Sequence, residues 1–222
     1  MRKSKIKLSV IITTYNEELY VGRCIRSIIS QSLASDLYEV IVVDDASTDK
    51  TPYALELFGE SIKVFKNPVN LGLPASINRG IQSAHGHYFV RLDGDDYVNF
   101  NYLNFLLMFL ESNENLDAVA CDYFIVDDNE NVLKRCSAIE QPIGCGIIFN
   151  RAHILDLGLY DDSFLRNEER DLRLRFDRKY TMGHLALPLY RYRKHVKNIT
   201  NDTDVMSKYD LKLRSKHQIN SD

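Results

Sequence analysis

Phe89-Val90-Arg91-Leu92-Asp93-Gly94-Asp95-Asp96 is an apolar run that delivers three carboxylates, with one glycine among them, at the point where a strand must end. Carboxylates crowded that tightly repel one another unless a cation lies beside them. A divalent ion with oxygen ligands is the usual remedy, and such an ion most often serves to hold a phosphorylated ligand. The plainer alternative is a solvated, Asp-rich turn.

Two further strand ends bear on that choice. Val40-Ile41-Val42-Val43 is a short β-branched run of the kind found inside a parallel sheet, and it stops at Asp44-Asp45-Ala46-Ser47-Thr48-Asp49. Leu8-Ser9-Val10-Ile11-Ile12 is another, ending at Thr13-Thr14-Tyr15-Asn16-Glu17. Open α/β sheets bind ligands at the carboxyl ends of their strands, so three strands with polar ends describe one site. Helix capping accounts for Asn16 and for Ser47 or Thr48, but leaves Asp44, Asp45, Asp93 and Asp95 without a purpose.

Outward from these strands the pattern alternates. Val21, Ile25, Ile28 and Ile29 share a helical face, predicting a helix over 18–32. A strand over 39–43, a helix over 51–58, a strand over 62–65, a loop over 67–72, a helix over 75–84, a strand over 87–92 and a helix over 102–111 follow. Strands separated by helices imply βαβ units and a mostly parallel sheet, hence an α/β fold. After residue 115 the pattern changes: 118–126 and 132–135 alternate like antiparallel strands about the turn Asp127-Asp128-Asn129-Glu130-Asn131. A Gly-flanked apolar run over 144–149, a short helix over 151–157 and an acidic helix start at Asn167-Glu168-Glu169 complete the core, and a polar tail follows 201.

Composition narrows the options. The 222 residues suffice for one full α/β domain. With 28 Lys+Arg against 31 Asp+Glu there is no basic excess, which argues against nucleic acid as a partner. The basic start Met1-Arg2-Lys3-Ser4-Lys5 runs into a strand pattern too short for a signal peptide, and no segment approaches the ~20 apolar residues of a membrane span. A soluble, cytoplasmic protein is expected. Cys24, Cys121, Cys136 and Cys145 show no C-x-x-C spacing and read as buried thiols, while His85 and His87 lie at the strand entry, away from the site.

Taken together, the motifs resemble those of family-2 glycosyltransferases, inverting nucleotide-sugar-dependent enzymes of the GT-A fold. Val10-Ile11-Ile12-Thr13-Thr14-Tyr15-Asn16-Glu17 resembles the family's opening strand and nucleotide loop, and Ile41 through Asp49 its second strand. Asn70-Leu71-Gly72 through Asn78-Arg79-Gly80-Ile81 is similar to its N-x-G…A-x-N-x-G stretch, and Leu92-Asp93-Gly94-Asp95-Asp96 to its D-x-D motif. Several ordered motifs at family-like spacing are specific where any one would be weak. The resemblance implies a single domain over 1–200, with a Rossmann-like nucleotide-binding half over 1–115 and a smaller, antiparallel acceptor-side half over 116–200.

Carried over position by position, it places Thr13, Tyr15, Glu17, Asp45, Arg79, Asp93 and Gly94 around the nucleotide, Tyr15 and Glu17 at the base, and Asp45 on the uracil or ribose side. Asp95 would ligate a divalent ion, Mg2+ or Mn2+, and Mn2+ is preferred if His195 also ligates. His195 could close over the diphosphate with Arg191 or Arg193, or it could be a strand-edge surface histidine. Glu168-Glu169-Arg170-Asp171-Leu172-Arg173-Leu174-Arg175 resembles the catalytic-base signature, with Glu169 where Asp is usual and Glu168 beside it. A base there would take the acceptor's hydroxyl proton as its oxygen attacks from the face opposite the diphosphate. The bland reading is that both acids merely complement a helix N-terminus.

The implied function is transfer of a sugar, UDP-linked by preference, to a hydroxyl on a glycan, glycolipid or other acceptor in surface polysaccharide or glycoconjugate synthesis. The processive Q-x-x-R-W motif is absent from this sequence, which favours addition of one sugar per encounter. Membrane contact would be peripheral at most, through Arg2, Lys3, Lys5 and Lys7. Two rivals remain: a non-catalytic sugar-nucleotide-binding subunit, and a sugar-phosphate nucleotidyltransferase, against which stands the lack of a Gly-rich, basic phosphate loop after the first strand.

Overall fold

The computed structural model describes residues 6–196, 198 and 203–219. Among them, nine strands form one mixed sheet in the order β3-β2-β1-β4-β8-β6-β9-β5, with β7 paired to β6. β1 (Leu8–Thr14), β2 (Tyr38–Asp44), β3 (Lys63–Lys66) and β4 (Tyr88–Asp93) are mutually parallel. β8 (Ile147–Asn150) runs antiparallel to both β4 and β6 (Ala118–Val126) and so joins the parallel half to the rest. β6 pairs antiparallel with β7 (Val132–Cys136) through the expected Asp-rich turn, whose Asp127 Oδ1 accepts from the Asn129 and Asn131 amides.

Strand alternation assigns the two faces. Leu8, Val10 and Ile12 of β1 point into a core shared with α1 (Val21–Ile29), α2 (Thr51–Glu56) and α4 (Tyr102–Glu111). Ile11 points the other way, toward α3 (Leu73–Ser83), α5 (Arg151–Asp156) and α6 (Glu168–Phe176). Every residue of β1 and β2 is buried, which is why both read as near-continuous apolar runs. The four cysteines are buried and unbridged, as expected.

Three elements depart from the sequence reading. β5 (Tyr97–Val98) is only two residues long and has no periodicity to detect. β9 (Met182–Arg193) is a twelve-residue strand, yet Pro188 and a register shift opposite Asp122 break its alternation. The polar stretch read as a tail forms α7 (Thr203–His217), because Leu213 is fully buried and Arg170, Ser163, Asp161 and Asp171 pair with Asp210, Lys212, Lys216 and His217. Few contacts of this kind are visible in a sequence whose apolar face is one leucine wide.

The α3–β1 contact gives a test in which two effects have opposite signs. A Cβ on Gly80 would lie 2.4 Å from Ile11 Cγ2. Helix propensity alone favours Gly80→Ala by ~1 kcal/mol, whereas overpacking costs ~1–3 kcal/mol. The packing should win, lowering the urea midpoint with an unchanged denaturant slope; a raised midpoint contradicts the close approach.

Candidate active site

The chain leaves β1 toward β2 and β3, then returns through α3 to β4 on the other side of β1. Strand order therefore reverses at β1, which opens a crevice beyond its carboxyl end. Thr13 lies in register with Val43 and Asp93, and Thr14 with Asp44. The Thr13 and Thr14 hydroxyls are buried and, among the described residues, have no hydrogen-bond partner. Buried polar atoms of that kind call for a ligand or a functional reason.

The loops after β1 and β2 are clipped together by Asn16. Its Oδ1 accepts from the amides of Thr48 (2.8 Å) and Asp49 (3.3 Å), and its own amide donates to Ser47 Oγ (2.9 Å). The cap positions of α1 and α2 are Tyr20 and Lys50, neither with a side-chain cap, so Asn16, Ser47 and Thr48 serve loop architecture and not helix capping. Asn16 and Ala46 both take positive φ, 58° and 64°. For Ala46 that is strained, and such strain concentrates at functional sites. Tyr15 is exposed at the rim, and the Glu17 amide donates to Thr51 Oγ1.

Asp45 is buried, and both of its oxygens are engaged: Oδ1 accepts from Asn67 Nδ2 (2.6 Å) and the Leu71 amide (2.9 Å), Oδ2 from the Gly72 amide (2.8 Å). Arg79 joins the same network by donating to Asn67 Oδ1 at 2.5 Å. Asp45 thus holds the 67–72 loop against the end of β2. Gly94 donates to the Thr13 carbonyl, and a Cβ there would lie 2.9 Å from Thr14 Oγ1, so only glycine brings the acidic turn this close to β1.

Within that turn the three aspartates have different surroundings. Asp93 faces the Arg91 guanidinium, with Nη2 at 3.3 Å and 3.4 Å from its oxygens, and the Cys145 thiol donates to its Oδ2 at 3.3 Å. Asp95 meets His195 Nε2 at 2.9 Å, and Asn198 Nδ2 lies 3.5 Å away. The hydrogen bond to Asp95 raises the His195 pKa, and the ring is buried, so the surface-histidine alternative does not hold. Asp96 accepts from the Tyr190 hydroxyl (2.6 Å) and the Arg193 amide (2.7 Å). Burial, with Asp95 and Asp93 nearby, raises its pKa well above the usual range.

Asp95 Oδ2 and His195 Nε2 thus lie side by side in direct contact, an oxygen and a nitrogen of the types that ligate divalent cations once the ring is neutral. Asp93, Asp96 and Cys145 also bring one ligand atom each within 4.8 Å of one another. Sequence reasoning took Cys145 only for a core thiol; its place beside Asp93 follows from the Gly144-Cys145-Gly146 turn into β8. Arg191 and Arg193 are engaged elsewhere. Arg193 is buried and donates to the carbonyls of Asp95, Asp127 and Asp128 and to Glu130, while Arg191 packs over the Phe124 ring.

The second acidic element reaches the same place from the other half of the chain. Asn167, at φ 60°, turns the chain into α6, whose first turn carries Glu168, Glu169 and Asp171. Acids there complement the helix N-terminus. Glu168 is buried and accepts from Arg91 Nη1 at 3.1 Å. Glu169 lines an apolar cavity of about 210 Å³ whose wall includes Ile143, Phe149, Tyr160, Leu172 and Ile219. Burial, reinforced by Glu168, pushes its carboxyl up to about 8. The two neighbours thus differ in surroundings: Glu168 is buried against Arg91, and Glu169 has its carboxyl at a cavity with a raised pKa.

The structure links the candidate residues through neighbouring contacts: Thr13 to Asp93 by register and to Gly94 by a hydrogen bond, Asp93 through Arg91 to Glu168, and Asp95 to His195, while Asp45 and Arg79 belong to the 67–72 loop network. Arg2, Lys3 and Lys5 lie outside the described residues, and Lys7 pairs with Glu111. No helix among the described residues is long and apolar enough to cross a membrane.

Comparison with known proteins agrees with this architecture. An uncharacterised glycosyltransferase of Haemophilus influenzae is 35% identical over 126 residues, covering 55% of this chain and 38% of that protein. One from Rickettsia typhi is 27% identical over 212 residues, 87% of this chain and 66% of its own. This chain thus spans less than two thirds of their length. Among solved structures, Staphylococcus aureus TarS 1–349 in complex with UDP-GlcNAc superposes with a TM-score of 0.78 at 21% identity, over 98% of this chain and 68% of that one. The mannosyltransferase PcManGT of Pyrobaculum calidifontis, in complex with GDP-Man and Mn2+, gives 0.76 at 17%, over 97% and 65%. These two share the GT-A fold with this chain. The profile of "Glycosyl transferase family 2" matches residues 9–187, four fifths of the sequence, and on that match the chain belongs to glycosyl transferase family 2.

Proposed function

We propose that this chain transfers a sugar from a nucleoside-diphosphate sugar, UDP-linked by preference, to an acceptor hydroxyl with inversion at the anomeric carbon. The observation that carries the reading is the meeting of two acidic elements: Asp93 and Asp95 at the end of β4, and Glu169, with its raised pKa, at the start of α6. The orphaned Thr13 and Thr14 hydroxyls give the nucleotide side hydrogen-bonding partners. The TarS complex with UDP-GlcNAc supports a uridine nucleotide, and the relatives named poly(ribitol-phosphate) glycosyltransferases, from Bacillus spizizenii and S. aureus, support a surface-polymer acceptor.

In this reaction Glu169 accepts the proton of the acceptor hydroxyl, the hydroxyl oxygen bonds to the anomeric carbon, and the bond to the diphosphate breaks with its electron pair leaving on phosphate oxygen. A divalent cation, Mn2+ or Mg2+, would be held by Asp95 and His195 and would offset the charge growing on the diphosphate. Glu168 stays paired with Arg91 and leaves the base role to Glu169. The apolar cavity beside Glu169 receives the acceptor and excludes water from the reacting atoms.

Glu169→Gln should leave nucleotide affinity intact while turnover falls at least ~10²-fold; full turnover removes Glu169 from the role. Because the base must be ionised, kcat/KM should climb with pH until it levels near 8. The same raised pKa acts on stability. Between the ordinary glutamate range and about 8, the folded state keeps a proton that the unfolded state has lost, so stability drops as pH rises through that window. Glu169→Gln removes this slope, and its Tm should gain on wild type from pH 5 to 8.5; a constant Tm difference contradicts the assignment. For Asp95→Ala, calorimetric titration with UDP should show a loss of the Mn2+-dependent part of the affinity, and an unchanged Mn2+ dependence rules out Asp95 as ligand.

A further inference from the structure

We propose that Arg91 is a positioning residue that locks the base helix to the donor end of the site, an inference that rests on the transferase reading above. Arg91 stands two residues before Asp93 on β4, so both side chains leave the same face of the strand. Its guanidinium is buried and spans two elements 77 positions apart in sequence: Nη2 lies 3.3 Å from Asp93 Oδ1, and Nη1 lies 3.1 Å from Glu168 Oε1. Asp93 and Glu168 hold the positive charge in place against burial. Gly144 closes over this junction, since a Cβ there would sit 3.0 Å from Arg91 Nη1 and 2.8 Å from Glu169 Cβ. The Tyr160 ring lies 5.8 Å from the guanidinium on another side.

A guanidinium holds its two carboxylates at the fixed angles of a planar fork, and a lysine ammonium, a compact charge on a flexible stem, sets no such geometry. Arg91 therefore determines how α6 begins, and with it where Glu169 points relative to the strand end that receives the donor. The pinned Glu168 also secures the turn at Asn167, which holds a left-handed backbone. The charged and titratable groups facing Glu169 are Glu168 on its own helix, Arg91 from β4, Tyr160, and Arg170 and Arg173 at the cavity. Of these, Glu168 raises its pKa and Arg91 lowers it.

The test compares Arg91→Lys and Glu168→Gln with wild type, using UDP titration, transfer kinetics and pH profiles on enzyme shown to be folded by circular dichroism. Arg91→Lys should bind UDP within ~3-fold of wild type yet lose ~10- to 100-fold in kcat, since a small misplacement of a base has that effect. The acid limb of kcat/KM should move to higher pH in Arg91→Lys and to lower pH in Glu168→Gln, opposite shifts that a merely structural residue does not produce. Wild-type kcat and pH profile in Arg91→Lys overturn the proposal, as do equal losses of UDP affinity and kcat. Should Arg91→Lys fail to fold, Glu168→Gln probes the same contact from its other end, and wild-type kcat there also overturns it. Glu169→Gln measured alongside separates the two claims: full turnover in that variant removes the base and this inference together, whereas an impaired Glu169→Gln beside an unimpaired Arg91→Lys removes the inference alone.

Discussion

Carboxylates crowded at the carboxyl ends of parallel strands impose the constraint on which this structure depends. Asp44, Asp45, Asp93, Asp95 and Asp96 all sit where β2 and β4 run out, and Glu168 and Glu169 arrive from α6. A carboxyl taken from water and left without a partner is costly, so most of these groups have a specific one. Asp45 is met by one side-chain and two backbone amides, Asp96 by Tyr190 and the Arg193 amide, Asp95 by His195, and Asp93 with Glu168 by Arg91. Those partners come from the 67–72 loop, β9, the segment after β9, and β4. The route of the second half of the chain is thus tied to the charges of the first.

Backbone strain follows the same geography. Asn16 and Ala46 in the loops after β1 and β2 and Asn167 at the start of α6 hold left-handed φ, which costs a non-glycine residue ~1–2 kcal/mol. Asn16 offsets this through its side-chain bonds to Thr48 and Asp49, and the Asn167 carbonyl accepts the first helical bond, from the Asp171 amide. Ala46 has no side chain with which to do so and depends on the ordered loop around it. Rigid sheet, strained loops and satisfied acids together keep the crevice pre-formed.

Much of this was legible from the residues because burial and alternation write themselves into sequence. The β-branched runs of β1 and β2, the ten-residue α4 and the β6–β7 turn lie where their patterns place them. The acidic strand ends drew attention to the carboxyl edge of β1, β2 and β4, and the family's motifs supplied the candidate residues there. What escaped was long-range. The hydrogen bonds that engage Asp45 come from residues 22 to 27 positions away, and those of Arg193 from two separate turns. An arginine inside an apolar strand, such as Arg91, reveals nothing of its partner 77 residues on. β9 was hidden by a proline and a bulge, and α7 by having a single buried leucine among charged residues.

The proposed chemistry places acceptor and diphosphate on opposite faces of the sugar, so product stereochemistry tests it most directly. The measurement is proton NMR of the glycoside formed from an α-linked UDP-sugar of gluco configuration, reading the anomeric coupling before any equilibration. The account predicts the large coupling of a β-linked product. A small coupling, diagnostic of an α-linked product, would contradict single displacement assisted by Glu169 and require a different use for the carboxylates gathered at this crevice.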